Sequence, residues 1–143
     1  RKGTKMVCDY KRGGNIDKTR AKSNVEAVLA ANPDITCWVG FYSYNTPRIY
    51  EAVKVANKLG KITIVGFDDD TITLGGVKEG TVAGTVVQQP FEWAYQGFKL
   101  MASYLKTGKS VLPPEGQMII PTKILHKDDI DAYAASLKAM SGK

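Results

Sequence analysis

The sequence predicts an α/β protein with a doubly wound parallel sheet, that is, a three-layer α/β/α arrangement. Short apolar stretches that suit buried strands alternate with longer stretches whose apolar residues recur at helical spacing. The connections between them are short and rich in residues that start or stop helices. With 143 residues the chain fits one domain, so we predict that residues 1–143 form a single lobe.

The predicted elements follow one another with little chain between them. Strands are expected at residues 5–10, 35–42, 62–67, 81–87 and 117–125, and helices at 16–31, 47–59, 71–79, 90–107 and 128–140. Polar caps or prolines mark the helix starts, and glycine or proline marks the ends. The starts are Asn15, Thr46, Asp70 and Pro90; the ends are Pro33, Gly60, Gly80 and Gly108.

The long fourth helix carries an apolar stripe at helical spacing. We interpret this stripe as a packing face and not as a cofactor site. Its members are Phe91, Ala94, Tyr95, Phe98, Met101 and Leu105.

The net charge of +6 is concentrated at the start of the chain. Residues 1–24 hold eight basic and two acidic side chains, and the remaining sequence is balanced. Such a cluster could bind phosphates, but Lys18, Arg20 and Lys22 fall on a predicted amphipathic helix, where basic residues usually form the solvated side. No nucleic-acid-binding motif accompanies the cluster, so we predict no nucleic-acid partner.

The usual signatures of metal sites and of catalysis are missing from the sequence. Cys8 and Cys37 each lie in a predicted strand and are expected to be buried thiols, with a disulfide as the alternative. His126 is the one histidine, and no CxxC spacing occurs, which argues against a metal site. No GxSxG, P-loop or GxGxxG motif occurs in its required context. We therefore predict neither an enzyme nor a cofactor.

The chain shows neither a membrane span nor a leader. No apolar run approaches the roughly 18 residues that a spanning helix needs. The sequence opens on RKGTKMVCDY, without an initiating Met or an apolar leader region. We expect a cleaved product or the tail of a longer protein.

Polar side chains follow three consecutive predicted strands, which suggests a ligand site. Asn45 follows the second strand, Asp68 the third and Gln88 the fourth, with Tyr42 and Tyr44 nearby. In an open α/β sheet the ligand crevice lies outside the carboxyl ends of the strands. Carboxylate and amide groups suit sugar hydroxyls, and aromatic faces suit the C–H side of a sugar ring. Taken singly, each of these residues also has a structural explanation.

The third strand runs directly into three carboxylates, in the sequence ITIVGFDDD. A solvated turn needs one acidic residue at most, so we expect one of the three to face a ligand. The other two are expected to have loop and cap roles, with Asp70 as the N-cap of the next helix.

Two stretches of the sequence carry a resemblance to a known family. They are NPDITCWVGFYSYNTPRIYEAVKVANKLGKITIVGFDDD and, later in the chain, GTVAGTVVQQP. Together they resemble the C-terminal half of a type I periplasmic sugar-binding protein of the ribose-binding-protein-like family. The resemblance runs from about residue 17 to the end of the chain. It rests jointly on NPD before a strand, the SYN-P loop, VGFD, and QQP after a strand. The same fold also serves as the effector domain of LacI-type repressors.

The resemblance implies roles for individual residues. Asp68, Asn45 and Gln88 would bind sugar hydroxyls, and Tyr42 or Tyr44 would add stacking. Where ribose binders place a stacking aromatic before the first helix, this chain has Ile16. Lys11 and Arg12 in the preceding loop are further candidates.

The resemblance also implies that the chain is an incomplete C-terminal lobe. Its family members close two lobes on a sugar, and a strand that would separate Cys8 from Cys37 falls outside this chain, so these residues would not pair. The segment of about residues 90–120 would recross to the N-terminal lobe. The fragment would then need its N-terminal half or a second copy for stability.

These features lead to an expected function and to two rivals. The expectation is the solute-binding component of a sugar ABC importer, partnered by a monosaccharide and a membrane permease. It would be periplasmic, or extracellular and lipid-anchored in the parent protein. The rivals are the effector domain of a LacI-type regulator and a small flavodoxin-like enzyme or signalling domain.

Overall fold

The structure is a computed structural model that describes residues 12–109 and 112–140. The predicted strand at 5–10, with Cys8 and Lys11, lies outside the described residues. The helices are α1 (Lys18–Ala31), α2 (Asn45–Val55), α3 (Thr71–Glu79), α4 (Pro90–Thr107) and α5 (Ile130–Met140). The strands are β1 (Cys37–Val39), β2 (Thr63–Phe67), β3 (Gly84–Val87) and β4 (Lys123–Leu125), and a 3-10 helix at Lys127–Asp129 precedes α5.

The described strands form one sheet in the order β1-β2-β3-β4. The first three are parallel, which confirms the predicted α/β class with a parallel sheet. The last strand differs from the prediction: β4 is three residues long and pairs antiparallel with β3. Gln89, just after β3, donates from Nε2 to the carbonyl of Pro121, just before β4, at 2.7 Å. The chain thus enters β4 beside the end of β3, which makes the pair antiparallel.

One hydrophobic core joins α1, α2, α3 and the start of α5 to the sheet. Ile64 of β2 and Val53 of α2 are fully buried at its centre. Side chains alternate across a strand, so Ile64 and Gly66 share the core face while Thr63 points to the other face and is exposed. The remaining core members are Val25, Leu29, Ile49, Ala52, Ile62, Val77, Val82, Val87, Leu125 and Ile130.

The first helix starts two residues later than the sequence predicts. Asp17, not Asn15, is the N-cap, and its carboxylate accepts from the amides of Thr19 and Arg20 at 2.8 and 3.0 Å. Asn15 and Ile16 have φ values of 51° and 63°, in the left-handed region that cannot continue an α-helix. Ile16, the first residue of the predicted helix, therefore lies outside α1.

The strand predicted at 35–42 as continuous and buried is shorter and more open. Only Cys37–Val39 has strand geometry, and both Cys37 and Val39 are exposed. Within the described residues β1 is the edge of the sheet, so its outer side has no neighbouring strand. The expectation that Cys37 is a buried thiol was wrong for this reason, although partial burial still raises the pKa of its thiol.

The second helix begins before its predicted cap. The amide of Asn45 donates to the carbonyl of Tyr42 at 2.9 Å, and the helix runs from Asn45 to Val55. Thr46 is therefore a buried residue of the first turn and not the N-cap. The helix also ends before Gly60, because the chain leaves helical geometry at Asn57, where φ is 53°.

The third and fourth helices match their predictions. Asp70 caps α3 by accepting from the amide of Ile72 at 2.9 Å, and Gly80 ends it with φ of 80°. Pro90 opens α4 and Gly108 closes it. All 18 residues of α4 are exposed or half-buried, so within the described residues the apolar stripe is not a packed face.

Candidate sugar-binding edge of the sheet

The carboxyl ends of β1, β2 and β3 meet at one edge of the sheet, because these three strands are parallel. The rings of Phe41 and Phe67, just after β1 and at the end of β2, lie 5.4 Å apart between centroids. Asp68 and Gln88 follow β2 and β3 at the same edge. The structure thus brings two of the predicted site residues, Asp68 and Gln88, together.

Asp68 is the residue at which β2 leaves the sheet. Its Oδ1 lies 3.5 Å from Nε2 of Gln88, at the outer limit of a hydrogen bond. Asp68 is half-buried and Gln88 is exposed, so the pair faces solvent at the sheet edge. A carboxylate beside an amide can bind two hydroxyl groups of one polyol: the carboxylate accepts a hydrogen bond from one hydroxyl, and the amide N–H donates a hydrogen bond to the other.

The backbone of Asp68 has an uncommon conformation. Its φ is 65°, in the left-handed region that non-glycine residues seldom adopt. The amide donates to the carbonyl of Val86 at 2.8 Å, and the carbonyl accepts from the hydroxyl of Thr85 at 2.7 Å. Both backbone polar groups of Asp68 are thus hydrogen-bonded to β3.

The other two carboxylates of the triplet have structural partners, and Asp70 has the cap role that the sequence predicts. Asp69 accepts from the hydroxyl of Tyr133 in α5 at 2.9 Å. Asp70 caps α3. The pKa of Tyr133 is raised, first by burial, then by the hydrogen bond and charge of Asp69 and by the charge of Asp68.

The two tyrosines after β1 differ in their surroundings. Their rings stack with centroids 5.9 Å apart and planes 7° from parallel. The hydroxyl of Tyr44 accepts from the amide of Ile16 at 3.2 Å, and a Cβ on Gly14 would lie 3.1 Å from the Tyr44 ring. Tyr44 therefore supports the loop before α1, while Tyr42, 61% exposed, presents its side chain to solvent.

The remaining candidate residues are Asn45, in α2, and Ile16 and Arg12, before the start of α1. Asn45 is half-buried in the first turn of α2, directly after Tyr44. Ile16 is 84% exposed and is joined to the tyrosine pair by its amide. Arg12 is exposed.

Three contacts at this edge were not anticipated from the sequence. They are the bonds of Tyr133 to Asp69, Thr85 to Asp68 and Ile16 to Tyr44. Only Thr85 carries a signal that could have been used: a hydroxyl in the middle of the apolar strand VAGTVV needs a partner. The other two pairs are separated by 64 and 28 residues and depend on how the helices dock.

Residues 12–109 and 112–140 lack two features that would indicate other functions. They contain no group of three or more His, Cys, Asp or Glu side chains placed to hold a metal ion. No helix among them has the length and apolar character that crossing a membrane requires.

A family model described as a periplasmic binding protein domain matches residues 1–110. Among curated proteins, the chain is 30% identical over 87 residues to the ribose import binding protein RbsB of Bacillus subtilis, covering 60% of this chain and 28% of that protein. It is 30% identical over 95 residues to the D-allose-binding periplasmic protein of Escherichia coli, covering 66% and 30%.

Solved structures of similar proteins extend these findings. The glucose-galactose binding protein GanP from Geobacillus stearothermophilus aligns with a TM-score of 0.71 and 28% identity, over 81% of this chain and 40% of that one. A solute-binding protein of an ABC transporter from Agrobacterium vitis with bound D-fucose aligns with a TM-score of 0.70 and 27% identity, over 83% and 40%. The chain thus spans 40% of each of these two structures, and 30% or less of the two curated relatives.

Proposed function

Because the chain belongs to the family of periplasmic binding protein domains, we propose that it forms the C-terminal part of the solute-binding protein of a sugar ABC importer. The ligand is a monosaccharide, and the chain binds it without changing it. The two curated relatives are an import binding protein and a periplasmic binding protein, which supports transport over a regulator's effector domain.

The juxtaposition of Asp68 and Gln88 at the carboxyl edge of the sheet carries this proposal. Asp68 accepts hydrogen bonds from sugar hydroxyls with charge assistance, and Gln88 donates one and accepts another. Asn45 supplies a second amide from the start of α2. Tyr42 covers a C–H face of the sugar, whereas Tyr44 supports the loop that carries Ile16.

The remaining half of the site comes from outside this chain. The described edge is open, and a small neutral ligand needs enclosure on most of its surface for tight binding. We propose that an N-terminal lobe closes over the edge, that the segment of about residues 90–120 recrosses to that lobe, and that the sugar favours the closed state. A membrane permease then recognises the closed form, in the periplasm or at the cell surface through a lipid anchor.

Calorimetric titration tests the proposal with two forms of the protein. The longest form that the gene encodes and residues 1–143 alone are each titrated with D-ribose, D-allose, D-galactose and D-fucose. We expect at least one sugar to bind the longest form, and the same sugar to bind the short chain at least about 100-fold more weakly, a loss of roughly 2.7 kcal/mol. Tight binding by the short chain would overturn the shared site, and no binding to the longest form would overturn the function.

A further inference from the structure

Asp68 adopts a backbone conformation that is uncommon for a residue with a Cβ. The left-handed region is unfavourable for most residues with a Cβ, although Asp enters it more readily than most because its short polar side chain can hydrogen-bond locally. Here φ is 65°, directly after the last residue of β2. Contacts with neighbouring residues therefore help to decide whether Asp68 keeps this conformation at the proposed ligand contact.

The hydroxyl of Thr85 makes one of these contacts. Thr85 is 1% exposed, and its Oγ1 donates to the carbonyl oxygen of half-buried Asp68 at 2.7 Å, the usual length of an O–H···O hydrogen bond. Val86, the next residue, accepts from the Asp68 amide at 2.8 Å. Two adjacent residues of β3 are therefore hydrogen-bonded to Asp68, one to its carbonyl and one to its amide.

Gly66 makes room for this contact. A Cβ at Gly66 would lie 3.1 Å from Oγ1 of Thr85, and 2.9 and 3.0 Å from the methyl groups of Thr73 and Thr46. All three threonines are buried. Only Thr85 among them uses its hydroxyl on the candidate site: Thr46 Oγ1 lies 3.4 Å from the carbonyl of Gly40, and Thr73 Oγ1 has no hydrogen-bond partner among the described residues.

We propose that Thr85 is a positioning residue, whose buried hydroxyl fixes the left-handed backbone of Asp68 and thereby places the Asp68 carboxylate beside Gln88. This inference rests on the proposed function for its effect on sugar binding. Thr85 does not touch the sugar; it acts through Asp68. The hydroxyl, and not the shape of the side chain, is the feature that matters.

Three variants of the longest form that the gene encodes separate this role from packing. Thr85→Val keeps the shape and removes the hydroxyl, and Thr85→Ser restores the hydroxyl without the methyl group. Thr73→Val is the matched control, because Thr73 is equally buried beside Gly66 and its hydroxyl has no described partner. Thr85→Ala, with Thr73→Ala as its match, replaces the valine pair if Thr85→Val does not fold.

Two measurements are made on each variant. The first is the affinity for D-ribose, D-allose, D-galactose and D-fucose, and we expect Thr85→Val to bind about tenfold more weakly, with Thr85→Ser and Thr73→Val close to the parent. The second needs no ligand: the Asp68 amide should exchange its hydrogen faster in Thr85→Val and at the parent rate in Thr73→Val.

The outcomes distinguish this inference from the proposed function. Unchanged affinity and unchanged exchange in Thr85→Val overturn the positioning role. Equal losses in Thr85→Val and Thr73→Val also overturn it, since they indicate general packing. If the parent binds none of the four sugars but Asp68 exchanges faster only in Thr85→Val, the proposed function fails and the control of Asp68 by Thr85 stands.

Discussion

The hydroxyl of Tyr133 in α5 donates to the carboxylate of Asp69, one residue after the proposed sugar ligand Asp68, at 2.9 Å. This bond joins the last helix of the chain to the exit of β2. Lys78 and Asp131 form a second link of 2.6 Å between α3 and α5. The position of the C-terminal helix is therefore coupled to the candidate site.

Tyr133→Phe is expected to lower the free energy of unfolding by about 1 kcal/mol near neutral pH, because it removes a hydrogen bond to a charged group at a partly exposed place. Urea unfolding measures this loss. Tyr104→Phe, at an exposed position of α4, is the control and should leave stability unchanged. Equal stability of Tyr133→Phe and the parent would show that the Asp69 bond contributes nothing.

The same variant tests a pH dependence. Folding raises the pKa of Tyr133, so folding favours its protonated form. Its contribution is complete below the unfolded value of about 10 and is lost as the pH rises from there toward the folded pKa. The stability difference between the parent and Tyr133→Phe should therefore shrink above pH ~10. A stability difference that stays constant to high pH would contradict this. Because both proteins contain the other six of the seven tyrosines, the titration of those six cancels in the comparison.

Asp70→Ala is expected to destabilise the protein by about 1 kcal/mol through loss of the α3 N-cap. Asp70→Asn should retain most of the stability, because an asparagine oxygen can accept from the Ile72 amide in the same way. Thermal or urea unfolding compares the two variants. Equal destabilisation by alanine and asparagine would show that the charge of Asp70, and not the cap, is what matters.

Asp68→Asn is expected to weaken sugar binding about ten- to 100-fold, because hydrogen bonds to a charged acceptor are stronger than those to a neutral one. Asp69→Asn is the matched control: it changes the next carboxylate, whose partner is Tyr133, and should alter affinity only slightly. Calorimetry with the best of the four sugars measures both. A larger loss in Asp69→Asn than in Asp68→Asn would show that the site was assigned to the wrong carboxylate.

Residues 1–143 alone are expected to associate through the apolar stripe of α4. Phe98 and Leu105 are 69% and 83% exposed, and exposed apolar groups along one helix face favour self-association. Size-exclusion chromatography with light scattering should give a dimer or larger species that Phe98→Glu reduces. Val55→Glu, at a site 72% exposed on α2, is the control and should leave association unchanged. A monodisperse monomer would contradict the prediction.

The parts of the fold that the sequence predicts well are those with local causes. The starts and ends of α3 and α4 lie where the sequence predicts them, at Asp70, Gly80, Pro90 and Gly108. These signals are reliable because a cap, a proline ring or a left-handed glycine acts within one helical turn. In the triplet of carboxylates after β2, Asp70 is the N-cap of α3 as predicted. The use of Asp68 as a sugar ligand stays a prediction.

The predictions that were wrong concern features that depend on residues far along the chain. The exposure of Cys37 follows from the place of β1 at the edge of the described sheet, which its apolar sequence does not reveal. The direction of β4 follows from where the chain returns, marked by the bond of Gln89 to Pro121. Likewise, the N-cap of α1 is Asp17 instead of Asn15, and the loop before it contacts Tyr44, 28 residues farther along the chain.

The three consecutive carboxylates have a consequence for sequence variation in relatives. Loops usually accept insertions and deletions. Here each carboxylate meets a different element: Asp68 meets Gln88 after β3, Asp69 meets Tyr133 in α5, and Asp70 meets the first turn of α3. Adding or deleting one residue would move each acid into its neighbour's place, so this loop should be constrained in length as strictly as in composition.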